Sequence, residues 1–169
     1  MTDGALVLRD ADDGDRPAIR RVHLDAFPTP EEADLVDRLL DNCAERLSIV
    51  ALDGDDVVGH VLFTPAIAGD GTQGLGLAPL AVLESHQRRG VGQALTTRGL
   101  ARARSAGYPF VLVLGHPEYY PRFGFRPASS YGVECPYPGV PDDAFMLLAI
   151  DTASTSRVSG VIRYRPEFG

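Results

Sequence analysis

The sequence predicts a mixed α/β (α+β) fold: one sheet with helices on both sides, built as a single domain over residues 1–169. Three observations carry this. Strand-like and helix-like stretches follow in the order β-α-α-β-β-β-α-β-α-β, with no repeat or linker between them. Phe110 to Leu114 (FVLVL) is a continuous apolar run, the mark of a central strand buried on both faces. Leu77 to Leu95 (LAPLAVLESHQRRGVGQAL) passes from an apolar run, through a polar turn with two arginines and two glycines, into an amphipathic helix.

Taken in order, Ala5 to Arg9 reads as the first strand. Asp12 or Asp13 can cap a helix that has Pro17 in its first turn, an apolar stripe of Ala18, Ile19, Val22 and Ala26, and an end at Phe27. In TPEEADLVDRLLDN, Thr29 is a candidate cap and Pro30 fits the first helical position. Leu35, Val36, Leu39 and Leu40 then face inward. Ser48 to Leu52 and Val57 to Thr64 form a hairpin around Asp53-Gly54-Asp55-Asp56. AGDGTQGLG reads as a glycine-rich surface loop. The helix after Gly92 is expected to run to about Ala106, with Gly107 as its stop. GHPEYYPRFGF holds a short helix near Glu118 to Arg122. Ala144 to Ile150 is a strand, and Gly160 to Tyr164 a candidate last one.

Composition narrows the function. A chain of 169 residues is long enough for a sizeable core. A net charge of −7 argues against nucleic acid or an acidic membrane as partner. All 16 basic residues are arginine, which excludes chemistry that needs a lysine. Cys43 and Cys135 lie far apart without metal-ligand spacing, so two free thiols and no metal site are expected. MTDGALVLRD has neither the basic start nor the apolar core of a leader peptide, and no apolar run could span a bilayer; a cytoplasmic location follows as the expectation.

Leu77–Leu95 outlines an anion site. Backbone N–H groups at a helix N-terminus lack intrahelical partners, the helix dipole favours negative charge there, and glycines admit a phosphate close to the backbone. A P-loop is excluded by the missing lysine. The dinucleotide fingerprint fits poorly, because the sixth position from Gly90 is Leu95.

Gln87-Arg88-Arg89-Gly90-Val91-Gly92 resembles the Gln/Arg-x-x-Gly-x-Gly/Ala signature of the GNAT superfamily of N-acetyltransferases, after the fourth strand and opening the third main helix. Tyr120-Pro121-Arg122-Phe123-Gly124-Phe125 resembles the Tyr-x-x-x-Gly-Phe element that follows the fifth strand there. LAPLAV, GHPEYYPRFGF and PGVPDDAFMLL look most like the YhbS-like branch. The resemblance covers nearly the whole chain. It implies a GNAT fold, with a mostly antiparallel sheet splayed between strands 4 and 5, and acetyl transfer from acetyl-CoA to a small-molecule or peptide amine by direct attack. The alternative is a non-catalytic acyl-CoA-binding module on the same fold.

Carried over residue by residue, the resemblance assigns the pyrophosphate to the backbone of Arg88, Arg89, Gly90, Val91, Gly92, Gln93 and Ala94, with Gln87 starting the turn. It assigns the pantetheine arm to Leu80, Ala81 and Val82, one of whose N–H groups also polarises the thioester carbonyl. Tyr120 matches the proton donor to the leaving thiolate; Tyr119 is its competitor, and Phe123 packs in the core or against the cofactor. No acid lies on the fourth strand to take the amine's proton. His116 is a candidate base and a water chain the default, with Glu84 and His86 expected to face solvent. Asp25, Glu31 and Glu32 could attract a cationic amine, although acids are favoured in a helix's first turn by the dipole alone. The first two helices and the later loops should form the acceptor site, with Tyr137 and the Cys135–Asp143 loop shaping it. Many members of the family are dimers, which leaves a homodimer open.

Overall fold

The structure, a computed structural model, describes residues 5–155 and 158–169. Residues 1–4, part of the stretch read for a leader, lie outside it. The strands are β1 (Val7–Asp10), β2 (Leu47–Asp53), β3 (Asp56–Ile67), β4 (Gln73–Val82), β5 (Phe110–Leu114), β6 (Arg126–Pro127), β7 (Val133–Glu134), β8 (Phe145–Ala149) and β9 (Gly160–Val161). The helices are α1 (Arg16–Ala26), α2 (Glu31–Asn42), α3 (Val91–Ser105) and a single turn, α4 (Thr152–Thr155). Seven strands form a mostly antiparallel sheet in the order β1-β2-β3-β4-β5-β8-β6, with β4 and β5 parallel; β7 and β9 form a separate parallel pair.

The chain divides into two compact units, residues 1–63 with 79–99 and residues 64–78 with 100–169. It passes between them within β3, β4 and α3.

In the first unit, β1 and β2 pair from Val7↔Leu52 to Asp10↔Ile49, and β2 returns into β3 through the predicted Asp-Gly turn. Ile19 and Val22 of α1, Ala33, Val36 and Leu39 of α2, and Ile49, Val61, Leu62 and Phe63 of the strands are all 0–1% exposed, with Phe63 packed at Gly99 of α3. Arg16–Asp41 and Arg20–Asp37, each 2.7 Å, tie α1 to α2 at the surface, where such pairs add little stability. The Asp12 side chain caps a short 3-10 turn, Asp13–Asp15, that leads into α1. Thr29 is not the cap of α2. Pro30 holds that place without a side-chain bond, one residue later than expected, because proline's fixed φ suits either position.

The second unit is built on β5, buried from Phe110 to Val113 and paired with β8 from Phe110↔Ala149 to Leu114↔Phe145. Phe110, Leu112, Ala128, Val133, Phe145, Leu147, Val158 and Ile162 form its core. The expected glycine-rich loop is corrected here. Only residues 68–72 are loop; Gln73 to Gly76 belong to β4. These glycines are packing sites. A Cβ on Gly74 would lie 2.5 Å from the Phe110 ring, and one on Gly76 would lie 2.8 Å from the Tyr164 ring. The candidate last strand also shrinks to Gly160–Val161, with an isolated bridge Ile67↔Arg163 beyond it.

Candidate active site

The first unit holds the turn after β4. Leu83 N–H donates to Val58 O at 2.9 Å, so this register turns Ala81 toward β3 as well. Strand alternation then points the backbone groups of Leu80 and Val82 to the opposite edge of β4. Of the three residues carried over for the pantetheine arm, Leu80 and Val82 therefore turn their backbone away from β3 and Ala81 turns toward it. Gln87 Nε2 donates to Val82 O at 3.0 Å and closes the turn. Asp25 Oδ2 accepts from Glu84 N–H at 2.7 Å. Asp25 thus braces the turn, which a reading of it as a cation-attracting acid had no way to foresee. His86 lies 3.0 Å from Asp53 and 2.7 Å from Ser85, and is half-buried instead of facing solvent.

The turn itself is strained at one residue. Arg88 has φ 63°, the left-handed region where a side chain costs about 1–2 kcal/mol. Gly90 follows at φ 82°, where glycine has no such cost. Ala94 N–H makes the first helical bond, to Gly90 O at 3.0 Å. The N–H groups of Val91, Gly92 and Gln93 precede it and so point out of the helix end. Arg88, Arg89, Gly90 and Gln93 are exposed, whereas Val91 is buried and anchors α3. Electropositive backbone, exposed glycine and two arginines together form a seat for a polyanion.

The second unit holds the tyrosines. Tyr120 starts a 3-10 turn, Tyr120–Phe123, and is 8% exposed. Its ring lies edge-on to Tyr119 at 5.0 Å and to Phe125 at 5.7 Å. Gly115 makes room for it, since a Cβ there would lie 2.6 Å from the ring. Burial, with Tyr119 beside it, pushes the Tyr120 hydroxyl up to about 12. Tyr119 is half-buried, and the Arg122 guanidinium sits 4.4 Å over its ring. Phe123 is half-buried within 5.4 Å of Tyr119. The two tyrosines thus differ in setting, and Tyr120 alone faces inward. His116 is exposed in the preceding loop, where its carbonyl accepts from Tyr119 N–H.

Beside these, a pocket of about 370 Å³ is lined by Leu77, Ala78, Leu114, Tyr137, Val140, Tyr164 and Phe168. Tyr137 and Val140 of the proline loop are among its walls. Leu77, Ala78, Leu114, Val140, Tyr164 and Phe168 were not singled out from sequence. An aromatic pair in the last six residues was the available signal, but nothing local says where that tail docks. Glu31 is exposed at the start of α2; the neighbouring Glu32 has a buried Oε2 with no hydrogen-bond partner among the described residues. Such an orphan is costly in a native structure.

A second polar feature went unforeseen. His23 Nε2 and His60 Nδ1 lie 2.8 Å apart, and His60 Nε2 lies 2.9 Å from Ser48 Oγ, all within the first unit. Both histidines are fully buried. Desolvation lowers both: His23 to about 4, and His60, with His23 adding to the effect, well below its ordinary value.

The chain thus carries an open helix start after β4 and a buried tyrosine after β5, and its class, an acetyltransferase, is shown by comparison with known proteins. An acetyltransferase (GNAT) domain matches residues 7–128, and the chain belongs to this family. It is 41% identical to the uncharacterized N-acetyltransferase YjhQ of Escherichia coli, over 96% of this chain and 94% of that protein. It is 33% identical to the uncharacterized N-acetyltransferase YhbS of the same species, over 91% of this chain and 93% of that one. The crystal structure of E. coli YhbS in complex with CoA matches with a TM-score of 0.90 at 32% identity, covering 99% of this chain and 95% of that chain. A GNAT family acetyltransferase from Brucella melitensis in complex with acetyl-CoA matches with a TM-score of 0.80 at 29% identity, over 97% and 98%. The GNAT fold expected from the sequence is therefore present, as is the enzyme class.

Proposed function

We propose that this protein transfers the acetyl group of acetyl-CoA to a primary amine by direct attack, and that residues 1–169 act as one cytoplasmic domain. The observation that carries the reading is the turn after β4: outward N–H groups of Val91, Gly92 and Gln93 behind a left-handed Arg88-Arg89-Gly90 bend. The CoA complex of E. coli YhbS and the acetyl-CoA complex of the Brucella melitensis acetyltransferase support it. The co-substrate supplies an activated thioester with a fair leaving group.

The chain's own residues have the following parts. The α3 N-terminus and the backbone of Arg88 to Ala94 bind the pyrophosphate. Leu80 and Val82 offer their outward edge to the pantetheine arm, and an N–H there polarises the carbonyl. Tyr120 keeps its proton throughout the neutral range. Complete transfer from a phenol near 12 to a thiolate whose conjugate acid has pKa ~8.5 is uphill by about 5 kcal/mol. Tyr120 therefore stabilises the leaving sulfur chiefly by donating a hydrogen bond. Tyr119 and Phe123 pack around it. β4 carries no carboxylate, so the amine's proton leaves to solvent.

Thiol release from acetyl-CoA with mixed primary amines, for wild type and Tyr120→Phe, tests the reading. We expect amine-dependent release in wild type and a large loss in the variant. No release, with acetyl-CoA still raising the melting temperature, would leave a binding module in its place.

A further inference from the structure

The pocket beside β5 carries more than a location. The β4–β5 ladder runs Leu75↔Val111, Gly76↔Leu112 and Leu77↔Val113, and there it ends. The next residue on each strand, Ala78 and Leu114, lines the pocket instead of pairing with the other. The pocket thus opens where the strands part, two residues before Leu80 on β4. Its other walls are Tyr137, Val140, Tyr164 and Phe168. Tyr137 and Tyr164 stack at 6.0 Å with 9° between their planes, and Phe168 continues the wall 5.7 Å from Tyr164. Gly76 is what lets Tyr164 lie flat on β4. No lining residue is acidic or basic, and burial raises both tyrosine hydroxyls, so the walls are uncharged at neutral pH. Leu114, 46% exposed, presents an apolar side chain that a ligand could cover.

This lining selects among amines. A second ammonium placed against it would be stripped of water with no counter-charge, and a sugar's several hydroxyls would find few partners beyond the two tyrosine hydroxyls. An aryl or branched alkyl group gains by leaving water. A two-carbon acetyl group fills only a small part of such a volume, which leaves the rest to the acceptor.

Resting on the acetyl-transfer reading, we infer that this pocket seats the apolar body of the acceptor, and that the acceptor class is primary monoamines carrying an aryl or branched alkyl group. Polyamines, amino sugars and charged peptides are excluded from it.

The test measures kcat/KM at fixed acetyl-CoA for phenylethylamine, isoamylamine, putrescine and glucosamine, and repeats it with hexanoyl-CoA. Phenylethylamine binding to the CoA-loaded protein is followed separately by tyrosine fluorescence. The inference expects phenylethylamine and isoamylamine to exceed putrescine and glucosamine at least tenfold. It also expects Val140→Asp, melting within a few degrees of wild type, to lose at least tenfold for phenylethylamine in both turnover and binding. Should Val140→Asp not fold, Tyr137→Ser serves with the same expectation. Equal or better turnover of putrescine or glucosamine overturns the inference and leaves acetyl transfer standing. So does a preference for hexanoyl-CoA that Val140→Asp abolishes, since the pocket would then hold the acyl chain. Absence of turnover with every amine, together with phenylethylamine binding that Val140→Asp removes, overturns acetyl transfer and keeps the pocket's ligand class. Absence of both turnover and binding overturns the inference.

Discussion

The turn after β4 and the pocket beside β5 are built from different materials. The turn uses backbone: N–H groups at the start of α3, a left-handed bend and the outward edge of a strand. The pocket uses side chains drawn from β4, β5, the proline loop and the C-terminal tail. Backbone recognition tolerates most side-chain exchanges, because the donors are common to all residues but proline. Side-chain recognition does not. One substitution in the pocket or at the buried tyrosine changes which ligand is accepted or how fast it reacts.

The widest gap between the two should appear at Tyr120. Tyr120→Phe is expected to lower kcat by about 10²–10³-fold, the range for loss of one transition-state hydrogen bond, with the acetyl-CoA Kd within threefold of wild type. Equal losses in kcat and in cofactor affinity would place Tyr120 on the cofactor side.

Acid should distinguish the unit cores next. His23 and His60 have folded-state pKa values below the unfolded ~6.5, so the unfolded chain takes up protons first. Their contribution is complete above about pH 6.5 and is lost as pH falls toward 4; His23 alone accounts for about 3 kcal/mol across that window. Denaturant titrations at pH 7.5 and 5 measure it. His23→Phe should flatten the dependence, and an unchanged slope would mean the pair is not neutral in the fold.

The turn gives smaller effects. Gly90→Val forces a β-branched residue to φ 82° and should weaken acetyl-CoA binding about tenfold, while Arg89→Ala, on an exposed side chain, should change it less than threefold. Isothermal titration compares them, and the reverse order would mean that side-chain charge, not backbone, holds the polyanion. Smallest of all, Arg88→Gly relieves a left-handed side chain and should stabilise by about 1 kcal/mol, or roughly 2–4 °C in Tm by calorimetry.

Much of the architecture was legible before any coordinates. The Asp-Gly hairpin, the FVLVL strand, the helix after Gly92 and the short turn ending at Gly124 all stand within a residue or two of expectation. Those signals are local: periodicity, turn chemistry and caps act over a few residues. The failures share the opposite cause. Gly74 and Gly76 look like loop residues, yet each is a strand position pressed against a ring, Phe110 or Tyr164, far along the chain. Asp25 looks like a free acid, yet it accepts from Glu84 N–H, 59 residues away. His23 and His60 look like scattered polar residues, yet their ring nitrogens meet at 2.8 Å from 37 positions apart.

By itself, then, the sequence determined the family, the fold and the co-substrate. A backbone site is written in contiguous residues, and Gln87 to Gly92 contain all of its pattern. Only the tertiary structure decided which edge of β4 faces outward, which of Tyr119 and Tyr120 is buried, and that Leu77, Leu114, Tyr137 and Phe168 share one apolar pocket. A pocket is a meeting of segments, and the free energy that brings them together comes from burying apolar surface, which has no direction along the chain.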